Sequence, residues 1–188
     1  MQPKVIKENV EHKGRFLQFK SIDWVDKNGN EAVWESVNRV SKDNGIVSII
    51  PILMPSRMYV IIRNYRPPVD AYVLEFPAGL VDDGEDIEEA ALRELKEETG
   101  YIGKVLKVTP PTLSSSGLSD EAVSLVVVEI NENDPKNQNP EQNLESEEDI
   151  EVWLVRENEV KLFIDREIKN GSILSGRFAS YFLGKGQV

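Results

Sequence analysis

The amino-acid sequence predicts a mixed α/β fold, in which strands are interleaved with two or three helices. Two observations support this prediction. Short runs of apolar and β-branched residues, typical of buried strands, occur at residues 45–54, 58–63 and 72–76. Helical patterns, with apolar residues three and four positions apart, occur at residues 87–99 and 159–169. The 188 residues suffice for one complete core, or for a core domain with a small accessory sheet.

The amino-terminal part predicts a β-hairpin. Residues 15–25 (RFLQFKSIDWV) and 31–39 (EAVWESVNR) alternate in polarity, and Asp26-Lys27-Asn28-Gly29 supplies the turn. Because two strands alone are only marginally stable in water, the hairpin must pack on another element. Its large aromatic residues fit a partner subunit, base stacking or packing on the adjoining domain; they are Phe16, Trp24 and Trp34.

We therefore expect residues 1–44 to form an amino-terminal β subdomain, with dimerisation and base stacking as its expected roles, and residues 45–188 to form the main domain. Its further predicted strands are residues 104–109, 121–130 and 150–155, and its last helices are 159–169 and 175–183. Residues 131–149 are acidic, polar and interrupted by proline, which predicts a mobile or partly disordered loop.

The helix predicted at residues 87–99 has clear end signals. Asp86 and Glu89 form a capping-box pattern at its start, and Gly100 supplies a left-handed residue at its end. Ile87, Ala91 and Leu95 make an apolar stripe for the core.

The opposite face of this helix is acidic, because Glu94, Glu97 and Glu98 fall on one patch. A solvated acidic face is the ordinary interpretation of a Glu-rich helix. Three crowded carboxylates also suit Mg²⁺ or Mn²⁺, which prefer oxygen ligands and keep positions open for water and phosphate.

Composition excludes several classes of function. The chain has no cysteine, so disulfides, thiol nucleophiles and Cys-based zinc sites are excluded. The one histidine, His12, lies in a polar segment and fits a surface role. The net charge of −11 argues against nucleic-acid or anionic-membrane partners. No apolar run approaches a membrane span or a signal peptide, so we expect a soluble cytoplasmic protein.

The acidic helix belongs to a longer pattern, G-x5-E-x7-R-E-[apolar]-x-E-E-x-G. Its fixed positions are Gly79, Glu85, Arg93, Glu94, Leu95, Glu97, Glu98 and Gly100. The chain thereby resembles the Nudix hydrolases, with Tyr101 as a mild departure from their motif. This resemblance implies an α/β/α sandwich around a mixed sheet, with the motif forming a loop, a helix and a loop.

Flanking segments extend the resemblance to the ADP-ribose and ADP-sugar pyrophosphatases of that superfamily. These segments are VWESVNR at 33–39, NYRPPVDAYVLEFPAGLVDDGE at 64–85 and SGLSDE at 116–121. The implied activity is Mg²⁺-dependent hydrolysis of ADP-ribose to AMP and ribose 5-phosphate by a homodimer. Another nucleoside-diphosphate sugar, an oxidised nucleoside diphosphate, or nucleotide sensing without catalysis remain open as alternatives.

The resemblance also implies roles for individual residues near the metal. Glu94 and Glu98 are principal ligands, with the Ala78 carbonyl as a further ligand and Glu97 as a third carboxylate or water-orienting base. Arg93 orients the glutamates by ion pairing, for instance with Glu97 at i+4. Glu148 best matches the base that some relatives carry on a loop before a late strand. Glu145 and Glu147 remain open as alternatives.

On the substrate side, Trp34 matches an adenine-stacking tryptophan and Glu35 a carboxylate that accepts from the adenine amino group. In relatives, aromatic residues of two subunits sandwich the base. Phe16 matches the second aromatic, and Trp24 remains an alternative. Three further residues match groups near the diphosphate, the metal or the terminal ribose: Arg39, Arg66 and Glu75.

Overall fold

A computed structural model describes residues 1–40 and 45–188, and these residues form twelve strands and three α-helices. The first six strands are β1 Lys4–Lys13, β2 Leu17–Val25, β3 Glu31–Arg39, β4 Ile46–Met54, β5 Met58–Arg66 and β6 Ala71–Glu75. The others are β7 Ala78–Leu80, β8 Lys104–Val108, β9 Thr112–Leu113, β10 Ala122–Asn131, β11 Ile150–Arg156 and β12 Ile173–Leu174. The helices are α1 Ile87–Thr99, α2 Val160–Lys169 and α3 Gly176–Gly184.

The chain divides into two compact units. The first comprises Met1–Ile46 and Pro111–Val123, and the second comprises Val47–Pro110 and Ser124–Val188. The boundary expected at residue 44 lies outside the described residues. The first unit also differs from the expected subdomain by including residues 111–123, because the Val37 N–H donates to Leu118 O at 2.9 Å and Ser36 Oγ to the same carbonyl at 3.1 Å.

The first unit contains an antiparallel sheet in the order β1-β2-β3. The predicted hairpin is confirmed: β2 and β3 pair in regular register, and the Asp26 carboxylate accepts from the Asn28 and Asn30 N–H groups at 2.7 and 2.9 Å. Strand β1 was not predicted: its residues are mostly polar and exposed, and its pairing with β2 is interrupted twice. His12, as expected, is exposed.

The second unit contains a mixed sheet with the main path β12-β6-β5-β4-β10-β8, in which β11 pairs with β5 and β7 pairs with β4. β12 is parallel to β6, whereas β6 and β11 run antiparallel to β5. Successive residues of β5 contribute to different cores: Val60 packs with α1, and Tyr59 and Ile61 pack with α2 and α3. Helices therefore cover both faces of the sheet, and the expected α/β/α sandwich is confirmed.

Helix α1 begins and ends where the sequence predicts. The Asp86 carboxylate accepts from the Glu88 and Glu89 N–H groups at 2.8 and 2.9 Å, and Glu89 returns a bond to the Asp86 N–H. At the other end Gly100 has φ +78°, and a Cβ there would meet the backbone of Glu141. Glycine is thus required at this end both by backbone conformation and by the close approach of a second segment.

Residues 131–149 are more regular than predicted. The Asn137 side chain is buried; it accepts from the Ile102 N–H at 2.9 Å and donates to the carbonyls of Ile102 and Asn131, both at 3.0 Å. The expectation of disorder is therefore not met around Asn137, whereas the mobility of the loop stays a prediction. Within the two described ranges, no helix has the length and apolarity needed to cross a membrane.

Candidate active site

Arg93, on the second turn of α1, is the centre of an ion-pair network. Its Nε and Nη2 atoms each donate to one oxygen of Glu85 at 2.9 Å, and Nη2 also donates to Leu80 O at 2.8 Å. The Arg93 guanidinium lowers the pKa of Glu85, and the Glu85 carboxylate in turn raises the pKa of Arg93. The loop before α1 is thereby fixed to the helix through Glu85.

Arg93 also holds two of the proposed metal ligands. Its Nη1 atom donates to Glu94 Oε1 at 2.8 Å and to Glu97 Oε2 at 3.0 Å. The expected i,i+4 contact with Glu97 is thus present. One guanidinium therefore orients three carboxylates of the motif, as its planar fork of donors allows.

Glu98 is the most deeply buried of the motif carboxylates, with 2% of its surface exposed. Burial raises its pKa to about 9, although the Ala78 N–H, which donates to Glu98 Oε2 at 3.0 Å, acts in the opposite direction. The carboxylates of Glu94, Glu148 and Glu75 raise the pKa further. The structure thus brings Glu98 and the Ala78 backbone together, with three other acids close enough to interact.

Among the loop acids, the structure favours Glu148. Its side chain is half-buried and its charge raises the pKa of both Glu94 and Glu98, whereas Glu145 and Glu147 are exposed. The Glu145 N–H donates to Glu148 Oε2 at 2.9 Å, and the Glu148 N–H donates to Glu145 O at 3.2 Å. Glu148 is therefore held within a turn on the side of the loop that faces the motif acids.

Gly79 has a steric reason for its place in the motif. A Cβ added at this position would overlap the carboxylate of Glu94. Any larger residue would push Glu94 away from Arg93, so the glycine secures the position of this carboxylate.

The donor set fits a hard divalent cation. Within residues 1–40 and 45–188, no three acidic side chains converge at metal-binding distances, because Arg93 holds Glu94 and Glu97 while the Ala78 N–H holds Glu98. The available ligand atoms are nonetheless all oxygens, and the buried acids around Glu98 favour either a proton or a cation.

Arg66 and Glu75 form an ion pair at the ends of β5 and β6. Arg66 Nη2 lies 2.6 Å from Glu75 Oε1, and Nε donates to the same oxygen at 2.8 Å. Burial raises the pKa of Glu75, whereas Arg66 lowers it. Arg66 is thus held by Glu75 and is not an unpaired surface residue.

In the first unit, Trp34 and Glu35 lie on opposite faces of the sheet. They are successive residues of a regular strand, opposite Ile22 and Ser21 of β2. Trp34 is 47% exposed, and its indole Nε1 donates to Gly117 O at 3.0 Å. Because the Val37 N–H bonds Leu118 at the outer edge of β3, the Glu35 N–H faces that same edge. The side chains of Trp34 and Glu35 are therefore on opposite faces, whereas the Glu35 backbone groups lie at the outer edge of β3.

Within one chain, Trp24 and Trp34 do not form a base sandwich; Trp24 of a second copy stays an alternative to Phe16. The two ring centroids are 6.4 Å apart and the rings are inclined by 73°, so Trp24 packs with its edge against Trp34. Phe16 is 66% exposed and lies six residues before Ile22, the residue paired with Trp34. Six residues of strand span roughly 20 Å, so Phe16 and Trp34 of one chain are too far apart to enclose a single base.

Arg39 lies at the end of β3 and bonds within the first unit. Its Nη2 atom donates to Glu121 Oε2 at 3.4 Å, which connects two of the flanking sequence segments. Both residues line a cavity of about 720 Å³, whose other polar lining residues include Gln18, Asn38, Ser115 and Ser119. The structure places Phe16, Trp34, Glu35 and Arg39 in the first unit and the other predicted site residues in the second.

Sequence reasoning missed several residues that support the site. Gln142 Nε2 donates to Glu98 O at 2.7 Å, and the Asn143 N–H donates to Glu97 O at 2.8 Å, so the loop closes the last turn of α1. Tyr72 bonds Asp149, the residue after Glu148. These contacts join residues far apart in the chain and left no local signal in the sequence.

Comparison with known proteins agrees with this geometry. The NUDIX domain matches residues 44–174. The chain is 38% identical to the ADP-ribose pyrophosphatase of Saccharomyces cerevisiae over 163 residues, which cover 82% of this chain and 69% of that protein. It is 35% identical to the ADP-sugar pyrophosphatase of Mus musculus over 167 residues, covering 86% and 77% respectively.

A solved structure of an ADP compounds hydrolase shares the fold. It superposes with a TM-score of 0.70 at 21% identity and covers 100% of this chain and 98% of the other. The family match spans most of the chain and includes the Arg93 network and the buried Glu98. The chain therefore belongs to the NUDIX domain family and is a Nudix hydrolase.

Proposed function

We propose that this protein hydrolyses the diphosphate of ADP-ribose, and of some other ADP-sugars, to yield AMP and a sugar phosphate. The observation that carries the proposal is the buried Glu98, surrounded by Glu94, Glu148 and Glu75 and adjacent to Ala78. The relatives named ADP-ribose and ADP-sugar pyrophosphatase support the choice of substrate.

The proposed cofactor is Mg²⁺, for which Mn²⁺ can substitute. Glu94, Glu98 and the Ala78 carbonyl would hold it, with Glu97 as a further ligand or as a group that orients water. Bound there, the cation would neutralise charge on the diphosphate and make the attacking water more acidic.

The remaining steps fall to side chains of the chain itself. Glu148 accepts the proton of the attacking water, since it is a half-buried loop acid whose charge acts on both Glu94 and Glu98. Arg93 keeps the motif carboxylates oriented. Arg39 and Arg66 neutralise phosphate oxygens, and Glu75 positions Arg66 and the terminal ribose.

Adenine recognition belongs to the first unit and requires two copies of the chain. Trp34 offers an exposed indole face, and Glu35 offers polar groups at the outer edge of β3. Phe16 of a second copy would cover the other face of the base. We therefore propose a homodimer as the active form.

The test is metal-dependent AMP release by wild-type protein and by Glu98→Gln. The variant should lose at least ~100-fold in kcat, because an amide cannot replace a charged metal ligand. Glu88→Gln is the matched control: it makes the same change on an exposed side of the same helix and should retain activity. Metal-dependent AMP release that is equal in Glu98→Gln and wild type would refute the assigned site.

The range of substrates needs a separate measurement. ADP-ribose, other nucleoside-diphosphate sugars and oxidised nucleoside diphosphates are incubated with Mg²⁺, and the products are resolved by chromatography. Faster turnover of the adenine compounds is expected. Calorimetric binding of ADP-ribose that saturates without product would instead indicate a nucleotide sensor.

A further inference from the structure

The segment that carries Glu148 is fixed at its first end by Gln142. The two N–H bonds of its side-chain amide go to Glu98 O at 2.7 Å and to Ile150 O at 3.2 Å. These carbonyls belong to the last turn of α1 and to the start of β11. One side chain thus bridges the helix with the buried acids and the strand that follows the loop.

The second end is fixed through Asp149, the neighbour of Glu148. The Tyr65 N–H donates to Asp149 O at 3.2 Å, and the Tyr72 hydroxyl donates to Asp149 Oδ2 at 2.8 Å. Between the two anchors, the turn from Glu145 to Glu148 positions the Glu148 carboxylate through the Glu145 N–H. A shift of Asp149 would therefore be passed directly to Glu148.

The hydroxyl of Tyr72 is itself well oriented. The Arg63 guanidinium lies 4.5 Å from the centroid of the Tyr72 ring, and the ring of Tyr65 packs against it at 5.5 Å with an inclination of 68°. Arg63 is held in turn by Glu151 at 2.7 Å. Contacts on the ring thus restrict its rotation and aim the hydroxyl at the loop.

We propose that Tyr72 is a positioning residue of the hydrolysis: through Asp149 it sets the Glu148 carboxylate against the buried acids of α1. The inference rests on the proposed function only through the role of Glu148. Tyr72 needs no contact with substrate for this purpose. Because displacement of a reacting group by about 1 Å can cost about 100-fold in rate, a single hydrogen bond at the adjacent residue can matter for turnover.

The test compares two isosteric variants. Tyr72→Phe removes the bond to Asp149 and keeps the ring, whereas Tyr65→Phe removes a 2.6 Å bond to Asp70 on the neighbouring ring. We expect Tyr72→Phe to lower kcat by about 5- to 20-fold with KM within about twofold, since it removes a hydrogen bond to a charged group. Tyr65→Phe should stay within about twofold of wild type in both constants. Equal losses in the two variants would overturn the proposal.

Non-additivity separates positioning from a general structural effect. In a Glu148→Gln background, Tyr72→Phe should cause no further loss, because its effect acts through the carboxylate already removed. A loss of the same size in both backgrounds would overturn the proposal.

Amide hydrogen exchange gives a readout that does not depend on activity. The N–H groups of Glu145 and Glu148 should exchange faster in Tyr72→Phe but not in Tyr65→Phe, with amides of α2 as internal reference. Faster exchange together with a wild-type protein that releases no AMP would refute the proposed function and support the anchor. Unchanged exchange in Tyr72→Phe would overturn the proposal that the Tyr72 bond to Asp149 holds this turn, whether or not the protein is active.

Discussion

Glu98 is the most deeply buried carboxylate of the proposed metal site. With 2% of its surface exposed, it receives one backbone N–H bond from Ala78 and the repulsion of three other acids. Its charged form is therefore unfavourable unless a cation is present. A carboxylate in this position is costly for folding, which argues for a role in binding rather than in stability.

This cost predicts how the metal-free protein responds to pH. The pKa of Glu98 is about 9 in the folded protein and has a reference value of 4.5. Between these values the folded state binds more protons than the unfolded state, so stability is greatest at low pH and falls as pH rises towards 9. Glu98→Gln removes this term, so its free energy of unfolding should fall less steeply over the same range.

Urea denaturation in the presence of a chelator measures this difference at about pH 5.5 and about pH 8.5. Glu88→Gln serves again as the exposed control and should follow the wild type. Added Mg²⁺ should stabilise the wild type more than Glu98→Gln at the higher pH, because the ion binds only the folded state. Parallel pH profiles for wild type and Glu98→Gln would contradict the prediction.

Sequence reasoning at this scale succeeded where the signal was local. The crowding of Glu94, Glu97 and Glu98 and the contact of Arg93 with Glu97 follow from helical spacing. The opposite orientation of the Trp34 and Glu35 side chains can also be predicted from the sequence, since adjacent strand residues point to opposite faces. The half-buried state of Glu148 could not be predicted from the sequence, because it depends on folding of the loop against distant elements.

At the scale of elements, Arg93 joins a loop to a helix. Its bonds to Glu85 and Leu80 O fix the loop before α1, while its bonds to Glu94 and Glu97 orient carboxylates on the helix. The guanidinium thus connects both parts of the motif. A lysine retains the charge but cannot supply this number of directed donors.

Arg93→Lys should therefore weaken metal activation more than folding. We expect the Mg²⁺ concentration for half-maximal activity to rise by about 10- to 100-fold, because residues that orient metal ligands typically contribute this much. Arg57→Lys is the matched control, since Arg57 pairs with Glu157 at 2.6 Å on another part of the second unit. A half-maximal Mg²⁺ concentration unchanged in Arg93→Lys would show that the network does not orient the ligands.

The loop at residues 131–149 shows where composition misleads. Its acidic, proline-broken sequence is typical of a disordered segment. Its order comes instead from Asn137, which bonds Ile102, and from Gln142, which bonds Glu98 and Ile150. Because Ile102 and Glu98 are far from the loop in the sequence, no periodic pattern predicts these hydrogen bonds. Helix α1, by contrast, carries its own start and stop signals.

At the scale of the whole molecule, one copy of the first unit does not complete the proposed base-binding site. Trp34 offers one exposed ring, Trp24 meets it edge-on, and Phe16 lies roughly 20 Å away along the sheet. Exposed apolar side chains on the strands of this unit provide surface for another chain: Val5, Ile6, Val10 and Val33. A second copy would supply both the missing aromatic ring and cover for these side chains.

The resulting homodimer can be tested by mass and by complementation. Light scattering at micromolar concentration should give twice the mass of one chain, and a monomer mass would contradict the proposal.

Phe16→Ala and Trp34→Ala should each raise KM for ADP-ribose by about 10-fold or more, because each removes one stacking surface from every site. Co-refolding equal amounts of the two variants should restore the wild-type KM at roughly a quarter of the sites, since half of the dimers are mixed and each mixed dimer has one intact pair. If both aromatics acted within one chain, mixing would restore none of the sites.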